Sequence, residues 1–379
     1  MMNNILIRGG RVVDPARDID AIENVSIQGE RIVAAKDGED HSAQQVIWAN
    51  ECIVVPGLID FHTHVFYEGT EASIPPDVGM LPNGVTTTVD GGTAGTANYE
   101  LFHKSIIANS LVRIKSFLSV SPTGQATSKY DENQNPKYYD EEKMEFLFKK
   151  YPQELLGLKV RQSKDVVGEL GLSPFKKALE IAERLSCKVA VHTTDSPGTT
   201  SELVKLFRKG DIFTHVFHGK GSTIIGEDGK VLSEVKEARK RGVVFDAANG
   251  KNHFAFRTAQ LAIANGFLPD IISSDLTWLT MFKQPTFGLP WLMSKYLALG
   301  MKLSDIVAAC TAVPAAVMGM AGEIGTLAPG ACADVTILKL VDFPCDFVDV
   351  AGDHHTGMKL LLPQATIRAG RIVFRQLNF

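Results

Sequence analysis

The stretch Val54–His64, VVPGLIDFHTH, decides the fold. An apolar run, broken once by Pro56-Gly57, leads into Leu58–His64, which ends on two histidines one residue apart. Strand side chains alternate, so His62 and His64 share a side. The same texture recurs downstream. Short apolar runs at Val85–Asp90, Arg113–Val120, Leu156–Arg161, Lys188–His192, Ile212–Phe217, Val243–Ala247 and Asp270–Asp275 read as further strands. Helix-like segments lie between or after them at Asn98–Ser110, Glu141–Lys150, Pro174–Ser186, Thr199–Lys209, Ser233–Arg241, Phe254–Asn265 and Leu303–Ala312. Ser173 before Pro174 suits an N-cap followed by proline at the first helical position. Strand–helix alternation implies parallel strands with helical crossovers. Eight such units predict an α/β fold, a (β/α)8 TIM-like barrel, over residues 56–324. An open doubly wound sheet fits less well, because polar residues close many different strands.

The two ends of the chain differ from this middle. Ile5–Ile7, Arg11–Val13, Asn24–Gln28 and Arg31–Ala35 are brief β-rich runs, punctuated by turns at Gly9-Gly10 and Gly29-Glu30. Ala333–Leu340, Gln364–Ala369 and Arg371–Arg375 repeat that pattern around a turn at Gly370. Residues 1–55 and 325–379 are therefore expected to join as one small discontinuous β-sandwich domain. The segment Ser121–Asp140 is long, polar and aperiodic, which suits either a binding loop or a surface insertion.

Composition narrows the function classes. Of 379 residues, 39 are Lys or Arg and 43 are Asp or Glu, a net charge of −4 with no basic block, so no nucleic-acid partner is expected. No run approaches the ~20 apolar residues needed to span a bilayer, and the N-terminus lacks a signal-peptide pattern, so no membrane partner is expected. Cys52, Cys187, Cys310, Cys332 and Cys345 are scattered and odd in number, which reads as reduced thiols in a cytoplasmic protein.

Several strand ends carry chemistry. His62 and His64 form half of a divalent-metal site, since Zn, Ni, Fe and Mn all accept imidazole nitrogen. His192 and His215 end or nearly end consecutive strands; each alone is as well explained as a satisfied core histidine. Asp275 closes an apolar strand, as a ligand or as a turn cap. Lys159 lies inside LLGLKVR (Leu155–Arg161), a costly place for a cation. It is either ion-paired across the mouth or, with a lowered pKa, able to react with carbon dioxide to form a carbamate.

These residues in this order resemble the amidohydrolase superfamily, and within it the binuclear members with a carboxylated lysine, such as dihydroorotase, hydantoinase and amidohydrolase/deacetylase proteins. The flanks ILIRGGRVVDP (Ile5–Pro15) and GTLAPGACADVTIL (Gly325–Leu338) are similar to that superfamily's split β-sandwich. The resemblance implies two divalent metal ions, with zinc the default. His62, His64 and Asp275 would bind the more buried ion and His192 and His215 the more exposed one. Carbamylated Lys159 and a hydroxide would bridge them. Asp275 would be the catalytic acid–base, taking the hydroxide's proton and passing it to the leaving group.

The resemblance also bears on substrate. Dihydroorotases carry an arginine two residues after the histidine pair, where this chain has Phe66, and the deaminases' glutamate is absent after His192 and His215. The runs KVRQS (Lys159–Ser163) and HVFHGKG (His215–Gly221) look like the deacetylase-type subgroup. Arg161 can share the barrel-facing side with Lys159 and suits a substrate carboxylate, or else an ion pair with a neighbouring loop. His218, Lys220 and Asn249 are further candidate substrate contacts, with Lys251 and His253 as added polar groups and Trp278, Met281 and Phe282 as walls. Arg161, Lys220 and Lys251 stand out as positive in an acidic chain. The expectation is a hydrolase cleaving an amide or ester bond of a small carboxylate-bearing substrate, a deacylase of N-acyl amino acids or acylated hydroxy acids. The alternatives are a cyclic amide hydrolase, a nucleobase deaminase and a non-catalytic binding homologue; a homo-oligomer is compatible with all of them.

Overall fold

The structure, a computed structural model, describes residues 4–34, 43–127 and 129–379. Ala35, the expected end of one strand, lies outside the described residues, as do other parts of 1–55 and Ser128 of the polar insertion.

Both chain ends enter one eight-stranded sheet. Its strands are β1 (Asn4–Asp14), β2 (Ile19–Gln28), β3 (Arg31–Val33), β4 (Gln45–Trp48), β5 (Cys52–Pro56), β13 (Val335–Val348), β14 (His354–Arg368) and β15 (Arg371–Arg375). The order is β15-β14-β13-β5-β1-β2-β3, with β4 pairing β1. It is one continuous ladder rather than two separate sheets, and it closes over its own apolar cluster, which includes Ile7, Val12, Ile27, Val54, Val335 and Ile367. Ile32 N donates to Ala331 O and Ala333 N to Glu30 O, which brings the β3 edge back to the start of β13. Gly9-Gly10 is not the expected turn. β1 runs through it with a register shift between Ile7 and Gly10, a bulge that keeps one strand continuous. Asp14 is buried and ties the termini together, accepting from Leu327 N at 2.7 Å and Thr326 Oγ1 at 2.9 Å.

The middle of the chain forms the barrel. A seven-stranded parallel sheet runs in sequence order from β6 (Leu58–Thr63) through β7 (Val85–Asp90), β8 (Arg113–Ser119), β9 (Leu155–Arg161), β10 (Lys188–His192) and β11 (Ile212–Thr214) to β12 (Val244–Asp246). The expected eighth strand, Asp270–Asp275, fills the gap but not as a regular strand. Ala247 N and Gly250 N donate to Ile271 O and Ser274 O on one side, and Asp275 N donates to His62 O on the other. The buried Asp60 carboxylate takes Ser274 N at 2.9 Å and Ser274 Oγ at 2.5 Å, replacing a backbone partner with a side chain. Asp275 sits at φ 50°, outside the strand region. Closure is therefore complete in hydrogen bonds while the ladder is interrupted at the site.

The barrel interior is filled by Ile59, Phe61, Val89, Phe117, Ala190, Ile212 and Ile271, with Ala315 and Met318 packed against them. The surrounding helices bury one face each: in Ser173–Arg184, Phe175, Ala178, Ile181 and Ala182 point inward. Ser173 lies within that helix, and Leu172 is its N-cap without a side-chain bond, so the expected serine cap is not made. Ser173 Oγ instead donates to Leu170 O. The helix Glu141–Lys150 has the expected bounds, while others are shorter than the sequence suggested: Thr200–Val204 starts with a Thr199/Glu202 capping box, and Leu303–Ala309 ends before a separate helix at Ala312–Val317. Among the described residues no helix is long and apolar enough to cross a membrane. All five cysteines are unpaired.

Asp334 joins the two sheets. It is 2% exposed and takes Arg113 of β8 at 2.8 Å and Arg368 of β14 at 3.3 Å, while Ala369 N donates to the same carboxylate. Removing one partner of a buried pair leaves uncompensated charge. Asp334→Ala should therefore lower unfolding stability by about 3 kcal/mol in a denaturant titration; a change within ±0.5 kcal/mol would show that this link carries no stability.

Candidate metal centre

A bulge in β6 sets the site. Asp60 pairs with Thr88 and Thr63 with Asp90, so the register shifts by one residue between them. Ile59 and Phe61 point into the barrel core, and uninterrupted alternation would turn His62 and His64 away from it. The extra residue reverses the alternation at the strand's end and aims both histidines at the mouth. Gly91 and Gly92 then make room: a Cβ at Gly91 would stand 2.4 Å from His62 Nε2, and one at Gly92 2.3 Å from Lys159 Cβ. Neither space tolerates a side chain.

Two groups of ligand-type atoms result. His62, His64 and Asp275 form one, and His192, His215 and His253 the other; within each, one atom per residue lies within 4.8 Å of the rest. His64 Nε2 is 3.1 Å and His62 Nε2 3.7 Å from Asp275 Oδ1. His192 Nδ1 and His215 Nε2 are 2.9 Å apart. Lys159 Nζ is 3.3 Å from His62 Nε2, next to the first group. The sequence-predicted ligands are thus brought together, all of them buried.

The partners behind the rings decide which nitrogens are free. His215 Nδ1 faces Ala248 O at 2.7 Å, and a carbonyl only accepts, so Nδ1 carries the proton and Nε2 offers its lone pair. That lone pair points at His192 Nδ1, an arrangement a cation between them would suit. His64 Nδ1 faces Thr93 Oγ1 at 2.8 Å, and Thr93 in turn donates to Asp90 at 2.7 Å. His62 Nδ1 lies 3.6 Å from Asp246 Oδ2, an oxygen with no hydrogen-bond partner among the described residues. Carboxylates and carbonyls behind metal-binding imidazoles fix their tautomer in this manner. Burial holds His62, His192 and His215 well below the ordinary imidazole range, keeping them neutral as ligands must be. Burial also pushes the Lys159 amine down to about 8, against the pull of Asp275, Asp246 and Glu132. Asp60 and Asp246 are pushed up to about 7 by the same cause. The donor set fits divalent cations at both positions.

Two features depart from the sequence reading. His253, expected only as a polar contact, completes the second histidine group. Its Nδ1 meets Thr194 Oγ1 at 3.0 Å, and its Nε2 is 3.9 Å from Asp275 Oδ2. Nothing in the sequence marked it as a ligand, because it sits on a loop after β12 rather than at a strand end. Asp246, by contrast, ends β12 and carried the same strand-end signal as the ligands.

The candidate substrate contacts scatter. Arg161 forms an ion pair with Glu132 at 3.1 Å, so it meets the polar insertion. His218 is fully buried, neither ring nitrogen has a partner among the described residues, and burial holds it down to about 4. Lys220 does not join the ligand groups: its side chain is 67% exposed and pairs with Asp195. Asn249 is committed to the core, where Oδ1 accepts from Lys295 Nζ at 2.5 Å and Nδ2 reaches Tyr296 Oη at 3.3 Å. Lys251 is exposed. Trp278 and Phe282 are exposed, and Met281 is half-buried against the core. Phe66 is buried with its ring 4.8 Å from Phe102, so it is packing and not a polar contact.

Comparison with known proteins agrees with this geometry. The model of the amidohydrolase family matches residues 53–373. A deacetylase of Agrobacterium fabrum is 34% identical over 324 residues, covering 85% of this chain and 79% of its own. A solved structure described as a dihydroorotase superimposes with a TM-score of 0.88 at 30% identity, over 99% of this chain and 98% of its own. One described as an adenine deaminase gives 0.89 at 26% identity, over 98% of this chain and 100% of its own. The chain belongs to the amidohydrolase family and is a metal-dependent hydrolase.

Proposed function

We propose that the protein is a binuclear deacylase, cleaving the amide or ester bond of a small carboxylate-bearing substrate such as an N-acyl amino acid or an acylated hydroxy acid. One observation carries the reading: two groups of three ligand-type side chains flank a buried lysine of lowered basicity. His62, His64 and Asp275 would hold one cation and His192 and His215 the other, with His253 beside the second. Zinc suits this nitrogen-rich set. The neutral Lys159 amine would add to carbon dioxide, forming an N–C bond and releasing one proton, and the carbamate would supply carboxylate oxygens to help hold the cations. When bound, the cations acidify a water and polarise the scissile carbonyl.

The chain's own residues do the rest. Asp275 lies where both groups meet, 3.1 Å from His64 and 3.9 Å from His253, and is held by its backbone bond to His62 O. Its carboxylate takes the proton of the attacking water and returns it to the leaving nitrogen or oxygen. Arg161 and His218 are the candidate substrate contacts that remain. The buried Phe66 supports deacylation over dihydroorotate hydrolysis, since no guanidinium stands there. The five unpaired thiols support a cytoplasmic setting.

A panel of N-acyl amino acids, acyl hydroxy acids, cyclic amides and adenine, offered to metal-loaded protein, tests the reading. Hydrolysis should be confined to acyl compounds carrying a carboxylate; a preference for uncharged amides would overturn the substrate class. Metal analysis that finds no bound ion and an unmodified Lys159 would favour a binding protein instead. Asp275→Asn should retain metal yet lose about 10²- to 10⁴-fold in kcat, the range of general acid–base catalysis, as read by steady-state kinetics. Lys159→Ala should lose one of the two metals by elemental analysis, with partial recovery in added acetate or propionate. Full occupancy and activity in the untreated variant would reject the carbamate.

A further inference from the structure

The polar insertion is held by hydrogen bonds at both ends. Gln125 N donates to Thr93 O at 2.9 Å, and Glu71 N donates to Ala126 O at 3.2 Å. At the far end Tyr139 Oη donates to Gln134 O, and Asp140 caps the helix Glu141–Lys150. Among the described residues, no backbone-to-backbone hydrogen bond involves 129–133. Burial alternates there: Asp131 and Asn133 are exposed, Glu132 and Gln134 buried. That is an extended strap with every second side chain turned inward.

Glu132 turns toward Arg161. The partner of Arg161 in the barrel ladder is His192, and Lys159 is two residues away, so the guanidinium stands beside the proposed centre. Glu132 Oε2 lies 3.1 Å and Asp131 Oδ1 3.8 Å from the same atom, Nη1. Nε and Nη2 have no hydrogen-bond partner among the described residues, and the side chain is 29% exposed. The Nε–Nη2 edge is one that can take a carboxylate through two parallel bonds. A glutamate acting as a plug would be expected to occupy a two-bond edge; this one holds a single corner.

We infer that Glu132 is a positioning residue: it pins Arg161 by Nη1 and presents the free Nε–Nη2 edge to the substrate carboxylate. The inference rests on the deacylase reading and deepens it, because it makes the strap, rather than the barrel alone, set the requirement for a negative charge. A long, flexible side chain fixed before binding loses less freedom when the substrate arrives. A substrate without the carboxylate gains nothing from that order.

The test compares the best acyl substrate of the panel with its carboxamide, in metal-loaded wild type, Glu132→Ala, Glu132→Gln, Arg161→Met and the Glu132→Ala/Arg161→Met double variant. Calorimetric binding of the deacylated carboxylate product serves as a readout independent of turnover. Glu132→Ala should raise KM for the carboxylate about tenfold, the scale of one charge-assisted hydrogen bond, and move the carboxamide little. Glu132→Gln keeps an oxygen for Nη1 and should recover most of the loss. Arg161→Met should match or exceed the loss, and the double variant should be no worse than Arg161→Met. Tighter carboxylate binding in Glu132→Ala would mean a competing plug, and equal losses on both substrates would mean a mere scaffold; either overturns the inference. If wild type turns over the panel while Glu132→Ala is indifferent, only this inference fails. If no acyl compound is hydrolysed but carboxylate binding still depends on Glu132, the deacylase reading fails and the positioning role stands. Unchanged metal content and circular dichroism in each variant exclude misfolding as the cause.

Discussion

His192 and His215 bring ring nitrogens to 2.9 Å inside a barrel otherwise filled with Ile, Val, Phe and Ala. With Nδ1 of His215 committed to Ala248 O, at least one lone pair at that contact is aimed inward. A buried polar atom without a partner is expensive, and so is a buried unpaired charge. Here the costs are concentrated: among the described residues Asp246 Oδ2 also has no hydrogen-bond partner, and Lys159 is buried beside His62. A barrel that packs this well elsewhere would not keep such a cluster for stability. It is a site prepared for cations, and the local backbone is bent to make it.

The bending is visible in three places. β6 takes an extra residue between Asp60 and Thr63, which turns the histidine pair inward. The rung at 270–276 gives up its ladder regularity so that Asp275, at φ 50°, reaches both ligand groups. His215 and Ala248 also adopt positive φ, at 68° and 35°, next to the hydrogen bond that orders the second group. Strained backbone of this kind persists only where its surroundings over-determine it. Asp60, clasping Ser274 next to Asp275, is part of such surroundings.

Much of this was legible in the chain itself. Period and punctuation located the strands, strand ends offered His62, His64, His192, His215 and Asp275 as candidates, and the resemblance to the amidohydrolase superfamily joined them with Lys159 into one ligand set. What escaped did so for physical reasons. A bulge is one extra residue and leaves no mark on hydrophobic periodicity, so the sequence suggests that the two histidines share a side without showing which side. His253 and Glu132 lie on loops, where no period applies and only tertiary folding sets the neighbours. The Gly9-Gly10 pair was misread because a turn and a bulge ask for the same residue. Asn249 looked available because its competitor, Lys295, comes from a helix 46 residues later.

The charges at the mouth show the same limit and point to how recognition works. From the sequence, Arg161, Lys220 and Lys251 stand as a positive rim in an acidic protein. In the fold, Arg161 meets Glu132 and Lys220 meets Asp195, which is also paired to Lys164. Two of the three cations are thus locally balanced, and the third is exposed. Exposed charges are screened over about 8–10 Å at physiological salt. A balanced rim steers anions weakly from a distance, so discrimination must come at contact, from the geometry of a guanidinium edge and the loss suffered by a substrate that cannot fill it. On the proposed reading, the charge requirement is a matter of how firmly Arg161 is held, and among the described residues no backbone-to-backbone hydrogen bond fixes 129–133 of the strap that holds it.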